Sequence, residues 1–538
     1  MKLYQAFAWA LAEHGVDVVF GLMGDANMLY LSAYQDAGGR FVPVVHEGGS
    51  VGMADGYSRM TGRVGVASVT HGPGFTNTMT SLVEGVRSRT PLLVITGDVP
   101  ADPTHFQQLD IAAVAAAAGA GYEKVYKPKS LVRDLNRAMQ RAVAERRPIV
   151  LNFPIALMGE DAGSQQPVTR PTPPAAGVAS EQALDGALGL IATANRPVIV
   201  AGRGAVAADA RSELVALAER LGAPLATTVL AKDCFAGHPR NLGIFGSLSH
   251  GVAASTIADA DCVIAFGASL NAFTAVGGHL TRGKKVVHVD CDPAQIGRFL
   301  QVDEAVAGDA QLVAAAMNAA LDEAGVRSSA AWAGEVEKAL GARSPHDDFA
   351  DRTGADTVDI RSAMIRLDGV LPSQRTMVTD IGRFVVGVWP YLAVPGPEHF
   401  TTMGGFGSIG LGLAGAIGAS VGRPDELTVA AIGDGGFMMN LAEFSTAVRE
   451  RLPILVLILN DGAYGAEHFK LADYGVDTGY SLNAWPDLVS LATSMGARGV
   501  TVRRLDELDQ LAGLAETILG GDGPLLVDVR LDPEVNII

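Results

Sequence analysis

The sequence predicts an α/β protein built from three doubly wound parallel-sheet domains. The chain has 538 residues, more than one hydrophobic core usually holds, which suggests about three domains. Short apolar runs alternate with helical patterns along the whole chain, as they do in parallel α/β domains. The runs themselves are almost wholly apolar, which is typical of strands that are buried on both faces of a sheet.

The apolar runs fall into three blocks. The predicted domains are residues 1–165, 180–325 and 355–538. A polar, proline-rich passage, "EDAGSQQPVTRPTPPAAG" (160–177), is typical of a linker. The predicted strands are residues 16–21, 40–45, 64–69, 91–96, 148–153, 196–205, 261–269, 284–293, 376–382, 427–436, 453–462 and 524–532. The glycine-rich stretch 407–422 is too short to span a bilayer and is predicted to form a buried helix.

The composition argues against several classes of protein. A net charge of −17 disfavours nucleic acid as a partner, because phosphate binding needs concentrated Lys and Arg. Cys234, Cys262 and Cys291 form no CxxC pair and no disulfide framework, which favours a reducing compartment. The N-terminal "MKLYQAFAWALAEHG" lacks the uninterrupted apolar centre of a signal peptide. We therefore expect a cytoplasmic protein that acts on small molecules.

Two glycine-rich turns, "THGPGFTN" (70–77) and "GDGGFMMN" (433–440), each follow an apolar strand. In the second turn, backbone N–H groups and a helix dipole can face an anion. Asp434 and Asp461 come at the carboxyl ends of two successive predicted strands, and such ends are neighbours in a parallel sheet. Two carboxylates and a loop carbonyl beside a diphosphate are ligands that Mg²⁺ prefers.

The order of GDGG, a helix and a strand ending in "ND" resembles the signature of enzymes that depend on thiamine diphosphate. The resemblance implies that Asp434, Asp461 and the backbone carbonyl of Ala463 bind Mg²⁺, although the family usually has Asn at position 461. It implies further cofactor contacts from Gly382, Arg383, Phe384, Gly407, Ile409, Gly433, Gly435, Gly436, Tyr464 and Gly465. Ile409, in "GSIG" (407–410), would be the wedge beneath a bent cofactor, with the Gly407 carbonyl accepting from its 4′-amino group; a core isoleucine among glycines is the alternative.

The stretch "VVHEGGSVGMADGYSRMTGRVGVASVTHGPGFTN" (44–77) is similar to the pyrimidine-binding domain of the same family, and most of all to acetohydroxyacid synthases. The resemblance implies that Glu47 contacts the aminopyrimidine ring, where a carboxylate favours the imino tautomer that can take a proton. It implies that Thr70, Pro73 and Gly74 help to bind the ring. In this family the two cofactor ends are bound by different subunits, which implies a homodimer or a dimer of dimers.

The middle block leaves two interpretations open. "VIVAGRGAVAADA" (198–210) has a G-x-G after a strand, which indicates either a dinucleotide site or a tight turn with close helix packing. The block resembles the central domain of acetohydroxyacid synthases, which binds FAD, and "VVHVDCDPAQIGR" (286–298) matches it well. However, "GASLNAF" (267–273) replaces the polar stretch expected to contact FAD, so FAD is the weaker alternative.

Residues expected near the reacting carbon combine features of several subfamilies. "GLMGDANM" (21–28) resembles a loop of pyruvate decarboxylases and places Asp25 at its proton-transfer position. "NDGAYGAEH" (460–468) places Glu467 where those enzymes have a catalytic Glu, and two nearby carboxylates suit proton delivery. In contrast, "THFQQLD" (104–110) places Gln107 as in carboligating lyases. His71 is either a second proton carrier or a structural residue.

These resemblances predict thiamine diphosphate- and Mg²⁺-dependent decarboxylation of a small, pyruvate-like 2-keto acid, followed by aldehyde release or carboligation to an acyloin. One alternative is acetolactate synthase, although "GAEHF" (465–469) lacks that family's Gln-Trp pair. A second is a lyase or hydrolase that cleaves C–C bonds of acyloins or diketones. A binding protein that keeps the fold without catalysis is the third.

Overall fold

A computed structural model of the protein describes residues 1–99, 104–326 and 330–537. Within these residues the strands form three six-stranded parallel sheets flanked by helices, which confirms the predicted fold class.

The first sheet is built by the N-terminal residues. Its strands are β1 (Val18–Gly21), β2 (Arg40–Pro43), β3 (Gly65–Ser68), β4 (Leu92–Thr96), β5 (Gly121–Lys124) and β6 (Ile149–Asn152). Its helices are α1 (Leu3–Glu13), α2 (Met28–Asp36), α3 (Glu47–Thr61), α4 (Pro73–Thr76), α5 (Met79–Arg87), α6 (Ile111–Ala118), α7 (Leu131–Glu145) and α8 (Ile155–Met158). The strand order is β2-β1-β3-β4-β6-β5. The edge strand β5 was not predicted, because its sequence GYEK has no apolar run.

The second sheet lies in the central part of the chain. Its strands are β7 (Pro197–Ala201), β8 (Leu225–Thr227), β9 (Asn241–Ile244), β10 (Cys262–Phe266), β11 (Lys285–Asp290) and β12 (Glu304–Ala307). Its helices are α9 (Glu181–Thr193), α10 (Arg203–Ala207), α11 (Arg211–Leu221), α12 (Gly251–Asp259), α13 (Ala310–Glu323) and α14 (Ala330–Gly341). The order is β12-β11-β10-β7-β8-β9. Sequence reasoning missed three short strands of this sheet: β9 and β12, which form its two edges, and β8, which lies next to β9.

The third sheet repeats the strand order of the first. Its strands are β13 (Arg375–Thr379), β14 (Phe400–Thr402), β15 (Leu427–Gly433), β16 (Ile454–Asn460), β17 (Arg498–Val502) and β18 (Leu525–Arg530). Its helices are α15 (Ile360–Val370), α16 (Val385–Val388), α17 (Gly412–Gly422), α18 (Asp434–Met439), α19 (Phe444–Arg449), α20 (Gly465–Asp473), α21 (Leu488–Ser494) and α22 (Leu511–Thr517). The order is β14-β13-β15-β16-β18-β17, so the first and last blocks share one build.

The first and third sheets belong mainly to one compact unit, and the central sheet belongs to a second unit. In the first unit, α3 packs directly against α17, the helix predicted to be buried. Glycines make this contact: a Cβ at Gly56 would lie 2.0 Å from the carbonyl oxygen of Gly415, and one at Gly418 would lie 1.8 Å from that of Met53. One core cluster therefore joins residues of α3 with residues of α17.

Three smaller features bear on the sequence predictions. Residues 162–180 contain neither helix nor strand, in agreement with a linker there. Cys234, Cys262 and Cys291, all within the described residues, form no disulfide. Nowhere in the described ranges is there a helix of the length and apolarity that crossing a membrane requires.

Candidate active site

The two predicted metal ligands lie side by side at the carboxyl end of the third sheet. Asp434 directly follows β15 and Asp461 directly follows β16, and Gly433 is paired in register with Leu459. The strand ends of a parallel sheet therefore bring together two carboxylates that are far apart in sequence. The GDGG motif differs slightly from expectation, because its last three residues already form the first turn of α18.

Asp434 is buried and Asp461 is partly buried. Burial raises the pKa of Asp434 to about 7, and the neighbouring charge of Asp461 acts in the same direction. Burial also raises the pKa of Asp461, while the Ala463 N–H, which donates to its Oδ1 at 3.0 Å, and the Arg383 charge oppose this. Trp485 Nε1 donates to Asp434 Oδ2 at 2.7 Å. A buried pair of oxygen ligands whose charges repel each other fits a divalent cation such as Mg²⁺.

Glycines keep the loops around this pair free of side chains. A Cβ at Gly435 would lie 2.6 Å from the ring of Tyr464, and one at Gly465 would lie 2.9 Å from Oδ2 of Asp461. A Cβ at Gly436 would meet Oδ2 of Asp380 at 2.4 Å. At these three positions a side chain would meet the protein's own atoms, so the close packing of the loops requires glycine. The carboxylates of Asp434 and Asp461 are the donors here that fit a metal ion bound to a diphosphate.

The "GRF" segment borders the same site. The Arg383 guanidinium lies 3.6 Å above the ring of Phe469 and donates to the carbonyl of Val535 at 3.3 Å and to the side chain of Asn536. Burial lowers the pKa of Arg383. A Cβ at Gly433 would lie 3.4 Å from the ring of Phe384, and one at Gly382 would lie 2.9 Å from the same ring. Arg383, Phe384 and Asp461 line one pocket together with the C-terminal segment.

At the other predicted end of the cofactor, Glu47 is the first residue of α3 and is buried. Asn77 Nδ2 donates to its Oε2 at 3.0 Å. A Cβ at Gly74 would lie 3.5 Å from Glu47 Oε1 and 2.7 Å from Cγ2 of Thr70. The turn that continues into α4 at Pro73 therefore packs closely against the Glu47 carboxylate. Asn77, part of the quoted turn, was not singled out from the sequence.

His71 and Gln107, predicted separately, form a pair. His71 Nε2 and Gln107 Oε1 are 2.8 Å apart, and the histidine is buried. Because an amide oxygen only accepts, the hydrogen bond requires a proton on Nε2. Gly72 has φ +58°, and a Cβ there would lie 3.0 Å from Cβ of Gln107. The tight turn thus holds the imidazole beside the loop that carries Gln107.

Asp25 and Glu467 are exposed in the chain. Asp25 lies in the turn before α2, and the neighbouring Asn27 holds that turn through its Nδ2, which donates to Ser68 Oγ at 2.9 Å. Glu467 lies in the first turn of α20, 3.7 Å from Nζ of Lys470. The adjacent His468 is buried, with Nδ1 2.9 Å from Ser481 Oγ. The catalytic roles of Asp25 and Glu467 stay predictions.

The predicted wedge lies in a loop between two glycines that have positive φ, a conformation that favours glycine. Gly407 has φ +81° with open space around it, and Gly410 has φ +92°. Ile409 is half-buried, whereas Leu411 and Leu413 belong to the core. The Gly410 N–H donates to Oδ2 of Asp380 at 2.7 Å. Asp380, Trp485 and Glu443 are residues of this region that sequence reasoning missed; only Asp380, in "TDIG", lies beside a recognised motif.

In the central sheet, the glycines of "GRG" are explained by backbone packing. A Cβ at Gly202 would lie 2.2 Å from the carbonyl oxygen of Gly267. A Cβ at Gly204 would lie 2.7 Å from the Cα of the same Gly267. The glycines therefore let the loops after β7 and β10 touch, which is the packing interpretation of the motif. FAD has no part in the function proposed below.

Three family models match the chain in order. They are the N-terminal TPP binding domain (residues 1–114), the central domain (184–317) and the C-terminal TPP binding domain (380–529) of thiamine pyrophosphate enzymes. The chain belongs to the thiamine pyrophosphate enzyme family. Thiamine pyrophosphate is thiamine diphosphate, so the recognition made from the motifs is confirmed.

Several relatives are similar to this chain over nearly its full length. A sulfoacetaldehyde acetyltransferase from Alcaligenes xylosoxydans xylosoxydans is 30% identical, over 94% of this chain and 88% of the relative. A probable acetolactate synthase large subunit from Methanocaldococcus jannaschii is 28% identical, over 99% and 92%. Acetolactate synthase isozyme 2 large subunit from Escherichia coli is 30% identical, over 98% and 95%.

Proposed function

We propose that this enzyme uses thiamine diphosphate and Mg²⁺ to decarboxylate a small 2-keto acid such as pyruvate and to join the remaining acyl unit to a second carbonyl compound. In the net reaction with an aldehyde acceptor, the C1–C2 bond of the keto acid breaks and carbon dioxide leaves. A C–C bond forms to the acceptor's carbonyl carbon, whose oxygen takes a proton, and the product is an acyloin. When bound, thiamine diphosphate supplies the nucleophilic carbon and the electron sink.

The protein's own residues would bind the metal ion and transfer protons. Asp434, Asp461 and the Ala463 carbonyl would hold Mg²⁺, which neutralises the buried carboxylates. Glu47 would hold a proton at the pyrimidine ring: Asn77 occupies its Oε2, and Oε1 faces Gly74. His71, oriented by Gln107, would carry a proton to or from the substrate oxygen.

The buried His71–Gln107 pair is the observation that favours carboligation over aldehyde release. Release of an aldehyde needs an acid at the reacting carbon, and Glu467, one of the two carboxyl candidates, lies beside the ammonium group of Lys470. Gln107 instead occupies the position typical of carboligating lyases. The names of the relatives, an acetyltransferase and acetolactate synthases, support transfer of an acyl unit.

A proton NMR time course with Mg²⁺, thiamine diphosphate and pyruvate, with and without acetaldehyde as acceptor, tests the proposal. We expect acetolactate or acetoin, formed only when both cofactors are present. Acetaldehyde as the sole product would overturn carboligation. Unchanged pyruvate, together with cleavage of an added acyloin or diketone or consumption of sulfoacetaldehyde, would overturn the 2-keto acid donor.

Two variants make this assay specific. Glu47→Gln should lose about 100-fold or more of the turnover, because proton transfer by a positioned group contributes about that much. Glu516→Gln changes an exposed carboxylate on α22 and should leave turnover unchanged. Turnover retained in Glu47→Gln would remove this residue from the mechanism.

A homodimer or a dimer of dimers is part of the proposal. Large apolar side chains are exposed near both cofactor ends: Met23, Met28 and Leu29 around the Asp25 turn, and Phe406 and Met439 around the wedge loop. Such uncovered apolar surface favours a second subunit at these sites. Light scattering of the active protein distinguishes dimer from tetramer, and an active monomer would contradict this part.

A further inference from the structure

Glu443 is a buried carboxylate that none of the sequence motifs includes. It lies in the short turn that follows α18, the helix that begins at Asp434, and its side chain is completely buried. Its Oε1 accepts from the backbone N–H groups of Val45 at 3.1 Å and His46 at 2.9 Å. Its Oε2 accepts from Oγ1 of Thr446 at 2.8 Å. A side chain of the third sheet's domain thus holds the backbone of the first.

The two N–H groups belong to the turn between β2 and α3, and Glu47 is the next residue. The same turn is supported by the side chain of His46, whose Nδ1 accepts from the Gly48 N–H at 3.0 Å. Glu47 begins α3, so the direction of its side chain depends on how this turn is held. Glu443, nearly 400 positions away in the chain, fixes the backbone immediately before the catalytic carboxylate.

The packing on the other side of Glu443 is equally tight. A Cβ at Gly49 would lie 2.3 Å from Oε1 of Glu443, so the first turn of α3 has room for the carboxylate only because this position is glycine. The second glycine of "HEGG" is therefore explained by Glu443 and not by a bound ligand. The hydrogen bonds and the glycine packing are two observations that both show the Glu443 carboxylate held against the backbone on either side of Glu47.

Glu443 has no ion-pair partner among the described residues. A buried carboxylate without a cation is costly unless hydrogen bonds satisfy it. Three donors satisfy this one, and two of them are the N–H groups of the Glu47 turn. An apolar side chain would fill the space at lower cost but would leave both N–H groups unpaired.

We infer that Glu443 is a positioning residue for Glu47: it holds the β2–α3 turn so that the Glu47 carboxylate meets the aminopyrimidine ring. The inference rests on the role proposed for Glu47. The short segment between Asp434 and Glu443 carries a proposed metal ligand at one end and the residue that holds the Glu47 turn at the other.

The first test needs no cofactor. Backbone hydrogen exchange at Val45 and His46 is measured in the full-length apo protein. We expect exchange at least about tenfold faster in Glu443→Ala, because its two acceptor contacts are lost, and unchanged in Glu443→Gln, whose amide oxygen still accepts. Exchange in β15 serves as the internal control. Unchanged protection in Glu443→Ala would overturn the inference.

The second test measures exchange of the thiazolium C2 proton of bound thiamine diphosphate into D₂O, with cofactor affinity determined by calorimetry. We expect Glu443→Ala to slow the exchange by up to about 100-fold, the cost of a displacement of about 1 Å, with a change in affinity of less than about threefold. Glu443→Gln should restore it. Thr446→Val, which removes only the Oε2 contact, is the control and should exchange like the wild type.

The outcomes separate the two proposals. If Glu47→Gln exchanges like the wild type, the proposed role of Glu47 fails. If Glu47→Gln is slow and Glu443→Ala is as fast as the wild type, only the positioning role fails. Should Glu443→Ala not fold, Gly49→Ala displaces the carboxylate from the opposite side and should give the same slow exchange; wild-type exchange in that variant would overturn the inference.

Discussion

The indole N–H of Trp485 donates to Oδ2 of Asp434 over 2.7 Å, and this contact orients the first of the two carboxylates that we propose as Mg²⁺ ligands. Trp485 lies between β16 and α21, far from the GDGG motif in sequence. Its hydrogen bond lowers the cost of keeping the carboxylate ionised. Such groups behind a ligand commonly set metal affinity.

Replacing Trp485 with Phe should therefore weaken Mg²⁺ binding by about tenfold, because groups that orient metal ligands are worth about 10- to 100-fold in affinity. Calorimetric titration of Mg²⁺ in the presence of thiamine diphosphate measures the change. Trp9→Phe, a change on the distant α1, is the control and should bind like the wild type. Equal Mg²⁺ affinity in Trp485→Phe would mean that Asp434 needs no orientation.

Asp380 should make the apo protein less stable at high pH. Burial raises the pKa of this carboxyl from 3.8 to about 7, although backbone N–H donors, including that of Gly410, act against the shift. The stability that the group contributes is fully present below pH 3.8 and is lost as the pH rises through about 7. The urea midpoint of the wild type should therefore fall between pH 5.5 and 8.5, and Asp380→Asn should show a smaller fall. Asp425→Asn changes an exposed carboxylate and serves as the control; its urea midpoint should fall with pH as in the wild type. If the midpoint of Asp380→Asn falls as steeply as that of the wild type, Asp380 is not the group responsible.

Adding a methyl group at the contact between α3 and α17 should lower the unfolding free energy of the protein. In Gly418→Ala the new Cβ would overlap the Met53 carbonyl, and overpacking of this kind costs about 1–3 kcal/mol or more of unfolding free energy. Gly369→Ala, in α15, places its Cβ in open space and should stabilise the protein by up to about 1 kcal/mol. Chemical denaturation of the two variants compares them directly. Equal stability would show that the helices can move apart without cost.

Gln107→Ala should lower kcat for the productive substrate by at least about tenfold, because His71 loses the acceptor that fixes its ring and its tautomer. Gln107→Glu keeps an oxygen acceptor and should retain more activity. Gln108→Ala, an exposed neighbour, is the matched control. Steady-state kinetics with separate kcat and KM values decide the role: a change in KM alone would mean that Gln107 binds substrate without orienting His71.

Sequence reasoning was most successful where a signal is local. The inner strands β15 and β16 were predicted because fully buried strands are continuous apolar runs, and α17 was predicted because its residues are apolar on every side. The strands β5, β8, β9, β12, β14 and β17 were missed, since short strands at or next to a sheet edge carry little apolar signal. The order of strands in the sheet follows from packing and has no counterpart in local composition.

For the active site, the sequence by itself determined that Asp434 and Asp461 share one sheet edge, because consecutive parallel strands end on the same side. It also determined that glycines surround them. Only the tertiary structure decided which side chains support these groups. The pairs Trp485–Asp434, His71–Gln107 and Glu443–His46 join residues from separate loops. Such contacts depend on how the helices pack against the sheets. Packing brings together residues that are far apart in sequence, so a local sequence pattern does not reveal which of them will meet.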